Sequence, residues 1–233
     1  MWHDEGFFTL SGWLHEVGEY QLSDENNIPP NQEDYDEDND YVIEEEDLAE
    51  PEGEPAEVIF ENGKGYAASE DADKLSQQGF YGTRIEGNRL ELEPVELLHL
   101  IERKRVTVKT SSGNSVGSDY IVSELLEEDP DLWVSYLVFR DLRSRGYAVR
   151  KGFGRGIGFR VYARGDRPGA ANAKELVYVL KEGVPISLGD LDLVTQTAVS
   201  SRKSLVFALV DQNGEVNFYK VAQSTLRNRS GDE

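Results

Sequence analysis

Residues 158–180 read GFRVYARGDRPGAANAKELVYVL. Two runs rich in β-branched and aromatic residues, GFRVYARG and KELVYVL, flank a loop of Gly, Asp, Pro and Ala, which predicts two strands with an irregular connection. Tyr162 closes the first run, with Arg160 and Arg164 two residues to either side. Upstream, DLWVSYLVFRDLRSRG has the apolar spacing of a helix, with Asp131 placed to cap it and Gly146 to end it, and YAVRKG reads as a further strand. Downstream, SLGDLDLVTQTAVSSRK predicts a second long helix, and SLVFALVDQNGEVNFYKV predicts a hairpin whose short loop contains Asn213-Gly214. With the helical IVSELLEE before them, these segments describe an α/β (α+β) unit over residues 120–224, a central mixed sheet flanked by helices.

A smaller mixed unit is expected over residues 58–109. VIFENGKGYAA suggests a hairpin, SEDADKLSQQG a helix with Ser69 as N-cap and Gly79 past its end, and RLEL a strand leading into the helix PVELLHLIERK, with Pro94 in its first turn. His99 lies on that helix, where a lone histidine is read as a packing or surface residue. Residues 110–119, TSSGNSVGSD, read as a linker at the domain boundary, and residues 225–233 as a flexible tail.

The chain has 233 residues, 38% of them hydrophobic and 10% aromatic, enough for a packed core in one large or two modest domains. It has no cysteine, which excludes a disulfide framework, a thiolate metal site and a cysteine nucleophile, and three histidines leave little for a transition-metal centre. No metal and no cofactor are therefore expected. An intracellular, cytoplasmic setting fits the missing cysteine, and no run approaches the roughly 18 apolar residues of a membrane span.

The net charge of −21 is unevenly spread. Residues 1–63 hold 21 Asp and Glu and no Lys or Arg, whereas residues 64–233 are balanced, with 24 of each sign. The stretch from residue 21 to 57 is acidic, rich in Pro and Asn and without apolar periodicity, and is expected to be disordered. Residues 1–20 carry enough aromatic and aliphatic side chains for a strand that pairs with VIFENG. Within the balanced part, residues 140–167 contain nine Arg and Lys against Asp141 and Asp166. Such an excess is the footprint of a surface facing phosphates or of an ordinary solvated face.

The order and spacing of YLVFRDLRSRGYAVRKG, GFRVYARG and SSRKSLVFALVDQNGEVNFYKV resemble the C-terminal catalytic domain of the archaeal tRNA-splicing endonuclease family. GKGYAASEDADKLSQQGFYGTRIEGNRLELEPVELLHLIERKRV resembles that family's N-terminal domain. The resemblance covers residues 58–222, and the acidic segment has no counterpart in it.

The resemblance implies a chemistry that physical principles explain. Metal-free RNA cleavage needs a base for the 2′-OH proton, an acid for the departing 5′-oxygen and a cation for the phosphorane. The family resembled uses Tyr, His and Lys and leaves a 2′,3′-cyclic phosphate and a 5′-OH. Tyr162 and Lys203 match its tyrosine and lysine, but the histidine position falls on Asn172, and no histidine follows His99. An amide does not exchange protons near neutral pH. Seven residues before the lysine, where the family commonly has an arginine that stacks on a bulged nucleotide, stands Gln196, which lacks the guanidinium's cation–π attraction.

Two altered positions in an intact fold pattern imply a structural, non-catalytic subunit of a heterotetramer, working with a catalytic subunit on precursor tRNA. The family's supporting unit inserts an acidic loop into its partner, and here that loop is DQNGE, with Asp211 and Glu215. Family dimers form through the C-terminal strands. Arg155, Arg160 and Arg164 are the candidates for RNA contact. Two other readings stay open: a self-sufficient endonuclease with the altered set Tyr162, Asn172 and Lys203, and an RNA-binding module without cleavage.

Overall fold

In AEVIFE, Ala56, Val58 and Phe60 are buried while Glu57 and Glu61 are exposed, the period of two expected of a strand with one face on a core. This strand, β1 (Ala56–Glu61), turns through Asn62 and Gly63, both at positive φ, into β2 (Lys64–Ala68). Asn-Gly supplies the left-handed backbone that a two-residue hairpin needs. The computed structural model describes residues 54–153 and 156–222. β1 pairs antiparallel with β2 and parallel with β5 (Val106–Thr110). With β3 (Thr83–Ile85) and β4 (Arg89–Leu92) these form a five-stranded sheet in the order β3-β4-β2-β1-β5.

Two expectations meet this sheet directly. The first strand opens at Ala56, so its first two residues belong to the stretch expected to be disordered. Residues 1–20, where a strand pairing with VIFENG is expected, lie outside the described residues; β1 itself is flanked by β2 and β5.

Helix α1 (Ser69–Gln78) follows β2 and ends at Gly79, as its sequence predicts. Ser69 is not its N-cap: that position is Ala68, and Ser69 is already the first helical residue, at φ 51, with no side-chain capping bond. Helix α2 (Pro94–Glu102) starts with Pro94 in its first turn and a reciprocal capping box between Glu93 and Glu96, whose Oε2 accepts from the Glu93 N–H at 2.9 Å. Val95, Leu97, Leu98 and Leu100 are all buried, so this helix is covered on more than one side.

After β5 the chain loops tightly, with Val116 N–H bonded to Val108 O, into α3 (Ser118–Glu128). Helix α4 (Leu132–Ser144) follows. Asp131 occupies its N-cap position but makes no side-chain cap, because its backbone (φ −89, ψ −1) is already near-helical rather than extended. Gly146, at φ 78, follows the last turn as expected.

The second sheet comprises β6 (Val149–Lys151), β7 (Ile157–Val161), β8 (Glu175–Lys181), β9 (Ser204–Val210) and β10 (Val216–Val221), in the order β10-β9-β8-β7-β6. Its pairs are antiparallel except β8 with β9, and the parallel crossover between those two carries α5 (Leu188–Ser201). Ser187 caps α5 by accepting from the Asp190 N–H at 3.0 Å. The fold is thus the mixed α/β arrangement expected, with two mixed sheets and flanking helices.

One apolar core joins the two sheets. It includes Val58, Leu90 and Leu92 from the first, Val161, Val177 and Ala208 from the second, and α2, α3 and α4 between them. Phe139 on α4 lies at its centre, 5.6 Å from the His99 ring and 5.9 Å from Phe159, centroid to centroid. Burial of each such side chain contributes about 1.5–3 kcal/mol. His99 is a packing residue here, 4% exposed, and burial lowers its pKa.

A buried ion pair fixes the first sheet's elements to the second. Glu96, 3% exposed, accepts from the Gly82 N–H at 3.0 Å and lies 3.3 Å from Arg150 on β6, which also donates to the Gly82 carbonyl. Burial raises the Glu96 pKa against the opposing charge of Arg150, and burial also lowers that of Arg150.

Candidate functional site

Strand directions decide where the three candidate side chains go. β7 and β8 are antiparallel and β8 and β9 parallel, so the last residue of β7 and the first residues of β8 and β9 share one end of the sheet. Val161 registers with Glu175, and Glu175 with Ser204. Tyr162 follows Val161, Asn172 precedes Glu175 and Lys203 precedes Ser204, so all three converge at that end.

Ala173 is their common neighbour. Tyr162, 6% exposed, packs with Ala148 and Ala173, and the Lys203 ammonium donates to the Ala173 carbonyl at 2.9 Å. Asn172, adjacent to Ala173, is exposed. Main-chain bonds fix the arrangement: Tyr162 N–H to Ala148 O at 3.0 Å, Lys174 N–H to Val161 O at 2.9 Å, and Ser204 N–H to Lys174 O at 3.1 Å. The left-handed Arg202, at φ 54, ends α5 and turns Lys203 onto the sheet.

The site therefore holds a phenol, an amide and an ammonium. It has a cation that could stand by a phosphate, and it lacks a group able to transfer a proton near neutral pH at position 172. Gln196 is exposed on α5 and its amide donates to Asp192 Oδ2 at 2.7 Å, a bond within its own helix.

The arginine candidates divide. Arg155 lies outside the described residues. Arg160 donates to the Lys151 carbonyl at 2.9 Å and lies over Phe153, while Arg164 donates to the Arg145 carbonyl at 3.1 Å and lies over Tyr147.

The charge excess counted over residues 140–167 is partly cancelled in space. Arg140 pairs with Glu102, Arg150 with Glu96, and Lys151 with Glu93 at 2.9 Å, all acids of the α2 region, while Arg145 pairs with Asp141. Arg164, Arg167 and Lys174 are exposed, close to Tyr162 along the chain or across the strand pair.

The acidic turn joins β9 to β10. Asp211 Oδ1 accepts from the N–H groups of Asn213 and Glu215, both at 2.9 Å, and Glu182 on the neighbouring loop accepts from Gln212. Asp211 thus shapes the turn with its own carboxylate, and Glu215 is exposed. Glu215 also lines a groove of about 590 Å³ with His99, Glu102, Arg103 and Arg140.

Sequence reasoning missed the Ala173 carbonyl as the anchor of Lys203, since a main-chain acceptor leaves no residue signature. It also missed Phe80 and Arg167, described below. The aromatic pair FY between Gly79 and Gly82 was the available signal for the first.

Among the described residues no group of His, Cys, Asp and Glu could hold a metal, and no helix is long and apolar enough to cross a membrane.

The family model for the tRNA intron endonuclease catalytic C-terminal domain matches residues 132–218, and that for the tRNA intron endonuclease N-terminal domain matches residues 56–121. The chain is 34% identical to the tRNA-splicing endonuclease of Methanothermobacter thermautotrophicus over 64% of this chain and 86% of that protein. It is 37% identical to that of Pyrococcus furiosus over 60% of this chain and 79% of that one. With the tRNA-splicing endonuclease of Methanococcoides burtonii it shares 34% identity over 66% of this chain, which spans only 43% of that longer protein. Two matched domains in the family's order, together with relatives 34% and 37% identical that the chain covers over most of their length, make this chain a member of the tRNA-splicing endonuclease family.

Proposed function

We propose that the chain is the structural, non-catalytic subunit of a heterotetrameric tRNA-splicing endonuclease that supports a catalytic partner in excising introns from precursor tRNA, leaving 2′,3′-cyclic phosphate and 5′-OH ends. The observation that carries this reading is Asn172, which stands exposed where Tyr162 and Lys203 converge. Loss of a general acid or base typically removes about 10²–10⁴-fold in rate. Lys203 spends its ammonium on the Ala173 carbonyl, and Tyr162 is packed among alanines, so both residues have a role in holding the sheet end together.

The acidic turn supports the partner half of the reading. Glu215 is exposed on a turn made rigid by Asp211, which limits the chain entropy lost on entering a basic cleft. The β10 strand, paired only with β9 among the described residues, offers backbone groups for strand-to-strand pairing.

The test is reconstitution. Mixed with a catalytic subunit of the family that carries an intact Tyr, His and Lys set, the chain should form a complex of two copies of each by analytical ultracentrifugation, and excision of an intron from precursor tRNA should rise with that complex. Two proteins that sediment separately, with excision indifferent to the chain, would contradict the reading.

A further inference from the structure

The loop that leaves α1 sends two neighbouring aromatic rings in different directions. Gly79 follows the helix, Phe80 sits at φ 55 and Gly82 at φ 69. A left-handed backbone costs a bulky residue roughly 1 kcal/mol or more, so it persists only where its surroundings over-determine it, and such residues gather at functional sites.

Here two sets of contacts hold it. Tyr81 is buried in the main core, with its N–H bonded to Leu75 O at 3.2 Å, and Gly82 is fastened by Glu96 and Arg150. Phe80, on the same loop, packs instead against Ala148, Tyr162 and Ala173, at the end of the second sheet that carries the candidate residues.

The guanidinium of Arg167 lies over the Phe80 ring, with Cζ 5.8 Å from the centroid. Arg167 is exposed, on the loop between Tyr162 and Asn172, and no carboxylate of the described residues pairs with it. This distinguishes it from Arg140, Arg145 and Arg150, whose charges are met by acids. A guanidinium held over an aromatic ring keeps N–H donors for a planar anion, and it has less freedom to lose on binding than a free side chain.

We propose that Arg167 binds a phosphate of the RNA strand that passes the Tyr162 end of the second sheet, and that Phe80 is the positioning residue that presents it. The first sheet thereby contributes to the RNA surface through one loop. The inference rests on the reading that this chain engages precursor tRNA within the endonuclease. Its chemistry is a charge-assisted pair of N–H bonds to a phosphodiester, which displaces a condensed counterion.

The experiment is a salt titration of affinity, with the full chain and an intron-containing precursor tRNA transcript. Arg167→Gln should weaken binding several-fold at low salt and reduce the slope of log K against log salt by about 0.7–0.9, the signature of one lost phosphate contact. Phe80→Leu keeps an apolar side chain against Tyr162 but removes the ring. It should weaken binding in the wild-type background and have no further effect in the Arg167→Gln background.

A purely structural role for Phe80 would shift the melting temperature and leave the slope alone. An unchanged slope in Arg167→Gln overturns the proposal, as does a Phe80→Leu effect independent of Arg167 or a wild-type chain that does not bind the transcript. Cleavage does not enter the measurement. A chain that cuts RNA unaided contradicts the structural-subunit reading and leaves this one standing, while an assembled complex with an unchanged slope does the reverse.

Discussion

The ammonium of Lys203 donates to the carbonyl oxygen of Ala173 at 2.9 Å, across the ends of two neighbouring parallel strands. The same alanine receives the Tyr162 side chain. Two of the three candidate positions are thus joined through one small residue. Lys203→Met should lower folding stability by about 1–2 kcal/mol, because it leaves a partly buried carbonyl without its charged donor. Chemical denaturation reads this directly. A variant as stable as wild type would mean that the lysine is free for another task.

The pair Glu96 and Arg150 joins the two sheets in a poorly hydrated place. Arg150→Met should cost about 3–5 kcal/mol, since it strands a buried carboxylate. The double variant Glu96→Gln with Arg150→Met should cost less than the arginine variant alone, because no charge is then left unpaired. A double variant worse than both would show that the pair contributes through shape, not charge.

Acid unfolding should proceed in two windows. His99 is held neutral by burial, with its folded pKa below the ordinary 6.5, so the unfolded chain binds the extra proton and stability falls as pH drops below about 6.5. Glu102 follows. Burial works to raise its pKa, but His99, Tyr136 and Arg140 hold it down to about 2 from 4.5. That contribution is full above pH 4.5 and is lost between 4.5 and 2, on the order of 3 kcal/mol. Glu102→Gln should flatten the lower window and deepen the His99 window, because the Glu102 carboxylate works to hold the His99 pKa up against burial. A slope below pH 4.5 unchanged by the substitution would exclude Glu102 as its cause.

The acidic turn separates two roles that one carboxylate type can play. Asp211→Asn with Glu215→Gln keeps the acceptor for the turn's N–H groups and removes both charges, so the chain should stay folded and lose partner assembly at low salt, with the gap to wild type narrowing as ionic strength rises and screens the wild-type charges. Asp211→Ala should instead lower the melting temperature, because two N–H groups lose their acceptor. Light scattering of the mixed subunits together with thermal melts distinguishes these outcomes. Assembly of the charge-free variant with unaltered affinity across salt would shift the interface to the terminal strands.

Local patterns carried most of the fold. The Asn213-Gly214 hairpin, the Ser187 start of α5 and the alternation in β7 and β9 depend on residues near one another in sequence, and each stands where its pattern places it. The helix starts at Ser69 and Asp131 did not follow from composition, because capping depends on backbone geometry that the flanking strand and loop impose. The positive footprint at residues 140–167 was overcounted for a related reason: Glu93, Glu96 and Glu102, which neutralise part of it, come from a helix some fifty residues earlier. At the candidate site, Tyr162 and Lys203 are named through the family resemblance, whereas Phe80 arrives on the loop after α1 and Ala173 acts through its main chain, which no sequence pattern displays.

The central claim is that this chain lacks its own proton-transfer group. Single-turnover cleavage of an intron-containing precursor tRNA, with the purified chain in excess and no other subunit, tests it most directly. The account predicts a rate no greater than the background without protein, and no cyclic-phosphate product. Site-specific excision at a rate approaching that of the Tyr, His and Lys enzymes, abolished by Lys203→Met or Tyr162→Phe, would contradict it.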